Sequence, residues 1–115
     1  MFNADPPKKP SAESRAAPRR PIRCKTRVIG PNGVTINGES FDLSSGGIGV
    51  ILDRPLPIGA IATVMFAPFT HGSVKSVTVA ASVAYSMLSS AGFRTGFQFQ
   101  NVPPATAIVI ASIIG

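Results

Sequence analysis

Between residues 22 and 28, apolar and basic positions alternate one for one, with Ile22, Cys24, Thr26 and Val28 set against Arg23, Lys25 and Arg27. Period-2 alternation marks a strand with one buried face, so the pattern predicts a first strand that turns Cys24 toward a core. Pro31-Asn32-Gly33 supplies the next turn, because Asn and Gly tolerate positive φ. A second strand is expected over 34–43, with Gly38 as its candidate bulge. Ser44 to Gly47 turn the chain again, and 48–52 reads as a third strand that is mostly buried. Two further strands are expected over 60–66 and 74–85, separated by the breakers of 68–72; in the second, Val77, Val79, Ala81 and Val83 fall on one face. The last strand, 93–99, carries Phe93, Phe97 and Phe99 on one parity around Gly96. After Pro103-Pro104 a short helix is expected over 105–114, with Pro104 as its first residue. Six strands at this spacing specify a small antiparallel barrel or a sandwich.

Composition supports short elements around a real core. Hydrophobic residues make up 44% of the 115 and charged residues 14%, while 11 Gly and 11 Pro favour turns over long helices. The seven Phe are read as core-fillers. One cysteine, Cys24, excludes an internal disulfide, and one histidine, His71, excludes a His/Cys metal cluster; His71 itself reads as an ordinary surface residue. Neither paired carboxylates nor a nucleophile with an adjacent base appears, so an enzyme is not expected. With no apolar run of about eighteen residues and no apolar signal-peptide core in the charged, proline-rich residues 1–20, a cytoplasmic location is expected.

The formal charge of +6 is unevenly placed. Residues 1–27 hold eight basic against two acidic side chains, which accounts for all of it, and 28–115 balance to zero. Residues 1–14, rich in Pro, Lys, Ala and Ser, have too little apolar surface to offset the entropy of ordering and are expected to form a flexible basic arm ahead of a domain over 15–115. Such a segment attracts phosphorylated ligands or polyanions over about 8–10 Å at ordinary salt.

Two motifs carry candidate chemistry. Arg15-Ala16-Ala17-Pro18-Arg19 puts two arginines four apart just ahead of the first strand, and Asp42-Leu43-Ser44-Ser45-Gly46-Gly47 forms an Asp-x-Ser-x-x-Gly turn between the second and third. Each alone is common, since Asp and Ser cap turn amides and basic tails contain arginine pairs by chance. Their order, separation and strand context together resemble the PilZ domain, the bacterial receptor module for cyclic di-GMP. The resemblance runs over roughly 13–115. Arg19-Arg20-Pro21-Ile22 looks like the entry to that family's first strand, Asp42 to Ile48 like its second signature without a gap, and Phe93-Arg94-Thr95-Gly96-Phe97-Gln98-Phe99 like its final strand. Arg19 and Arg23 have the same spacing as Arg15 and Arg19; the latter pair is preferred, because Arg23 falls inside the first strand and only 19 residues before Asp42.

The resemblance implies a six-stranded antiparallel barrel of split-barrel type with a C-terminal helix, and cyclic di-GMP as ligand with no cofactor or metal. The implied site is Arg15, Arg19, Arg20, Asp42, Ser44, Gly46 and Gly47. The residue types fit that ligand: an arginine fork binds a phosphate or the O6/N7 edge of guanine. A carboxylate accepts from guanine's Watson–Crick edge, a serine hydroxyl can donate, and glycines permit close approach and unusual φ. The expected function is a stand-alone receptor or adaptor that relays the signal to a downstream protein by ordering its N-terminal arginine loop. Two alternatives stay open: a small-barrel nucleic-acid binder with a basic arm, and a PilZ-like scaffold that binds only protein.

Overall fold

The computed structural model describes residues 18–115; the expected arm over 1–14, and Arg15, lie outside the described residues. Among the described residues, eight strands and one helix follow in chain order: β1 (Lys25–Ile29), β2 (Thr35–Ser44), β3 (Gly47–Leu52), β4 (Ile61–Phe66), β5 (Phe69–Thr70), β6 (Ser73–Val74), β7 (Val77–Ser89), β8 (Gly92–Phe99) and α1 (Pro104–Ile114). Six of them close an antiparallel barrel in the order β1-β2-β3-β8-β7-β4, with β4 pairing back onto β1. Closure leaves the barrel without an open edge along its paired length. β5 and β6 form a separate two-stranded ribbon whose turn contains His71 and Gly72, both exposed and both at positive φ.

The alternation predicted for the first strand is realised. Thr26 and Val28 are buried, Ile22 and Cys24 are half-buried against the core, and Arg23, Lys25 and Arg27 face out. Regular pairing begins only at Lys25, because the Ser40 side chain takes over the ladder's role before it. Ser40 Oγ donates to the Ile22 carbonyl at 2.6 Å and accepts from the Cys24 amide at 3.1 Å. Val77, Val79, Ala81 and Val83 share the inner face of β7 as expected, and they join Leu43, Ile48, Val50, Leu52, Val64, Phe97 and Phe99 in one core. Ile110 and Ile113 seat α1 on that core. Pro103 occupies the N-cap and Pro104 the first helical position, as the sequence predicts.

Two expectations are corrected. Gly38 is not a bulge; it pairs in register with Thr26 and Leu52, and a side chain there would collide with the Ile51 carbonyl and the Leu52 side chain. The register shift in β2 lies between Ser40 and Asp42, so Phe41 is the extra residue. Nor do all the phenylalanines fill the core: Phe66, Phe97 and Phe99 are buried, but Phe41 lies on the outer surface over Gly49, and Phe69, in the small ribbon, is 73% exposed.

Candidate functional site

The Phe41 bulge builds the site. Ile36 and Ser40 face inward along β2, and one extra residue reverses the parity, so Leu43 is the next to point in. Asp42 and Ser44, two apart, are thereby turned together onto the outer face at the end of the strand. Opposite them on β3 stand Gly49 and Gly47, and beyond these on β8 Gly96 and Gln98. Two adjacent strands thus carry glycine beside one carboxylate and one hydroxyl.

The segment ahead of β1 crosses this patch. Arg20 forms an isolated antiparallel bridge with Leu43, its amide donating to the Leu43 carbonyl at 2.8 Å and its carbonyl accepting from the Leu43 amide at 2.9 Å. Neighbouring side chains on an extended backbone leave on opposite sides, and here that divides two adjacent arginines. Arg19 turns toward β2: Nε donates to Asp42 Oδ2 and Nη2 to Asp42 Oδ1, each at 3.1 Å, while Nη1 reaches Ser44 Oγ at 3.4 Å. Arg20 turns away, and its Nη1 donates to the Ile114 carbonyl at the end of α1 at 2.7 Å. The hydrogen bond to Asp42 raises the Arg19 pKa above arginine's ordinary value, partly offset by burial and helped by the charge of Asp42 and by Tyr85 nearby. The guanidinium therefore carries its charge at every pH a cell reaches.

Ser44 is buried and central to the turn. Its hydroxyl accepts from the Gly46 amide at 3.2 Å and lies 3.5 Å from the Gly47 carbonyl. The Gly46 carbonyl in turn accepts from the Phe99 amide at 2.9 Å, which ties the turn to β8. The two glycines differ in what they require. A side chain at Gly47 would collide with the Phe97 carbonyl, whereas nothing lies within 4 Å of the position one would take at Gly46. The unusual φ expected of them is not found; the positive-φ glycines among the described residues are Gly33, Gly59, Gly72, Gly92 and Gly115.

The structure thus brings together Arg19, Asp42, Ser44, Gly46 and Gly47 from the sequence-predicted set, and directs the Arg20 side chain to the helix end. Arg23 is exposed on the strand approach; Arg15 lies outside the described residues. Sequence reasoning passed over Phe41, Tyr85 and Arg94. The Phe41 ring lies over Gly49, Tyr85 over Gly96, and the Arg94 guanidinium carbon is 4.0 Å from the centre of the Phe41 ring. Their only local signals are glycines in mid-strand, which mark a close approach without naming the partner. Among the described residues no three His, Cys, Asp or Glu side chains converge as metal ligands, and no helix is long and apolar enough to cross a membrane.

A closed six-stranded antiparallel barrel with a helix on its core and a paired Arg/Asp cluster at the β2–β3 turn defines the structural class. The PilZ domain family model matches residues 13–115, and the chain belongs to that family. No curated protein matches it. Solved structures are similar in fold. The inhibitor of motility MotI/DgrA of Bacillus subtilis has a TM-score of 0.70 at 14% identity, over 85% of this chain and 48% of that one. YcgR of Escherichia coli, in complex with c-di-GMP, has a TM-score of 0.71 at 22% identity, over 85% of this chain and 43% of that one. The PilZ domain of CeSA from a cellulose synthesizing bacterium gives 0.61 at 17% identity, over 84% and 94%. The chain spans about half the length of MotI/DgrA and somewhat less of YcgR.

Proposed function

We propose that this chain is a receptor that binds cyclic di-GMP at the patch formed by Arg19, Asp42, Ser44, Gly46 and Gly47, with Arg15 completing the arginine pair, and that it is not an enzyme. The observation that carries the reading is the Arg19–Asp42–Ser44 cluster beside Gly47 and Gly49 of β3. Family membership and the c-di-GMP complex of YcgR support it. Arg19 uses three of its five N–H donors within the cluster and Asp42 two of its roughly four lone-pair sites, so both retain capacity for a ligand. A guanidinium fork suits a phosphate or the O6/N7 edge of guanine, and the carboxylate suits guanine's N1–H and N2–H donors.

The signal, in this reading, is passed to a downstream protein through the arginine segment. The phosphates draw Arg15 toward Arg19, which Asp42 already holds on the barrel, and add order across residues 13–23, creating a surface that a partner reads. Arg20 connects the same segment to the end of α1.

Calorimetric titration of the full chain tests the binding claim. Saturable binding of cyclic di-GMP is expected, with clear preference over cyclic di-AMP and GTP, because adenine lacks the O6 acceptor and N1–H donor. Absence of binding, or equal binding of cyclic di-AMP, would overturn it.

A further inference from the structure

Asp42 pairs with Gly49, Gly49 with Gly96, and Gly96 with Tyr85, so the four stand in one cross-strand row over β2, β3, β8 and β7. At about 4.8 Å per strand the row spans about 14 Å. Tyr85 does not stand away from the sheet. A side chain at Gly96 would collide with three atoms of the Tyr85 ring, so the ring lies across the Gly96 backbone, back toward Asp42. Phe41 enters over Gly49 from the opposite side, so two aromatic rings converge on two adjacent glycines. Tyr85 nevertheless keeps access to solvent, the residue being 36% exposed. The register shift between Val83 and Tyr85 puts it there, just as the Phe41 bulge places Asp42.

We propose that Tyr85 is a further ligand-contact residue of this site, its ring forming the far side of the patch, on which a guanine base of the cyclic dinucleotide stacks. This rests on the cyclic di-GMP reading given above. A ligand with two bases presents a second flat ring beyond the one read by the carboxylate and arginine fork, and the part-exposed Tyr85 side chain, reaching back along the row from the fourth strand, offers it a surface. Stacking is indifferent to which edge of the base is read, so Tyr85 adds affinity while Arg19 and Asp42 supply selectivity. The competing role is structural, with the ring merely covering a strand glycine.

Tyr85→Leu separates the two, since leucine covers Gly96 without a π face. The chain has one Tyr and no Trp, so tyrosine emission reports this ring alone. Calorimetry is expected to show Tyr85→Leu binding cyclic di-GMP about 10- to 100-fold more weakly, Tyr85→Phe within about threefold of the unaltered chain, and both unfolding in urea near the same midpoint. Emission of the unaltered chain is expected to change saturably with the calorimetric midpoint, against a control of GMP at matched absorbance. Unaltered binding by Tyr85→Leu, or emission that does not respond at saturation, would overturn the inference and leave the receptor reading standing. Failure of the unaltered chain to bind would overturn both.

Discussion

Arg19 grips Asp42 through two hydrogen bonds of equal length, Nε to Oδ2 and Nη2 to Oδ1, each 3.1 Å, across 23 residues of sequence. The pair joins the segment ahead of β1 to the end of β2 at the surface. Its side chains are 39% and 25% exposed, so solvent screening limits its contribution to folding to about 1 kcal/mol. Its larger consequence is positional: the fork and the carboxylate are set on one patch with their remaining bonding capacity facing out.

Arg19→Ala is therefore expected to separate binding from stability. Loss of charge-assisted bonds should weaken cyclic di-GMP binding on the order of 100-fold, about 2–3 kcal/mol, while the urea midpoint moves little. Arg19→Lys should not restore binding, because an ammonium cannot present two parallel donors. Calorimetry and urea unfolding of both variants check this.

Gly46 and Gly47, adjacent in the same motif, should respond oppositely to alanine. A methyl group at Gly47 meets the Phe97 backbone, which cannot yield without moving β8, so Gly47→Ala is expected to cost about 3 kcal/mol or more. Gly46→Ala meets open space at an ordinary φ and should unfold within about 0.5 kcal/mol of the unaltered chain. Urea denaturation measures both.

This contrast also shows how far the sequence could be read. Most of the barrel strands were legible because they bury one face, and alternation such as Ile22/Cys24/Thr26/Val28 survives without knowledge of the neighbours; β3, buried almost throughout, was legible as a short apolar run after a turn. The Asp42 to Gly47 motif was legible because its residues are contiguous. The bulge was misplaced at Gly38, because whether a strand glycine marks an extra residue or a close approach depends on what β3 puts opposite it. Arg20 could not be told from Arg19 along the chain; the bridge to Leu43 decides which of them faces Asp42. The row from Asp42 to Tyr85 joins four strands through register alone, and no local pattern records it.

Arg20→Ala should loosen the helix rather than abolish the site. The Arg20 bond to the Ile114 carbonyl places a cation at the C-terminus of α1, where the helix dipole favours positive charge, and α1 has no basic residue in its own last turn. A loss of about 0.5–1.5 kcal/mol is expected, with faster amide exchange in the last turn of α1.

The relay predicts where protection appears. With saturating cyclic di-GMP, hydrogen exchange should slow in residues 13–23 and change little over 77–82, where β7 pairs with β4. Equal protection across the barrel, or none ahead of β1, would replace an ordering relay with a preformed pocket.

The central claim, that cyclic di-GMP sits on Arg19, Asp42, Ser44 and the glycines beside them, is tested most directly by following the backbone amide resonances of the full chain as the ligand is added. The account predicts saturable shifts largest at Arg19 and across 42–47, extending to Gly96, with 77–79 unmoved. Saturable shifts confined to another face of the barrel, or no shifts at all, would contradict it.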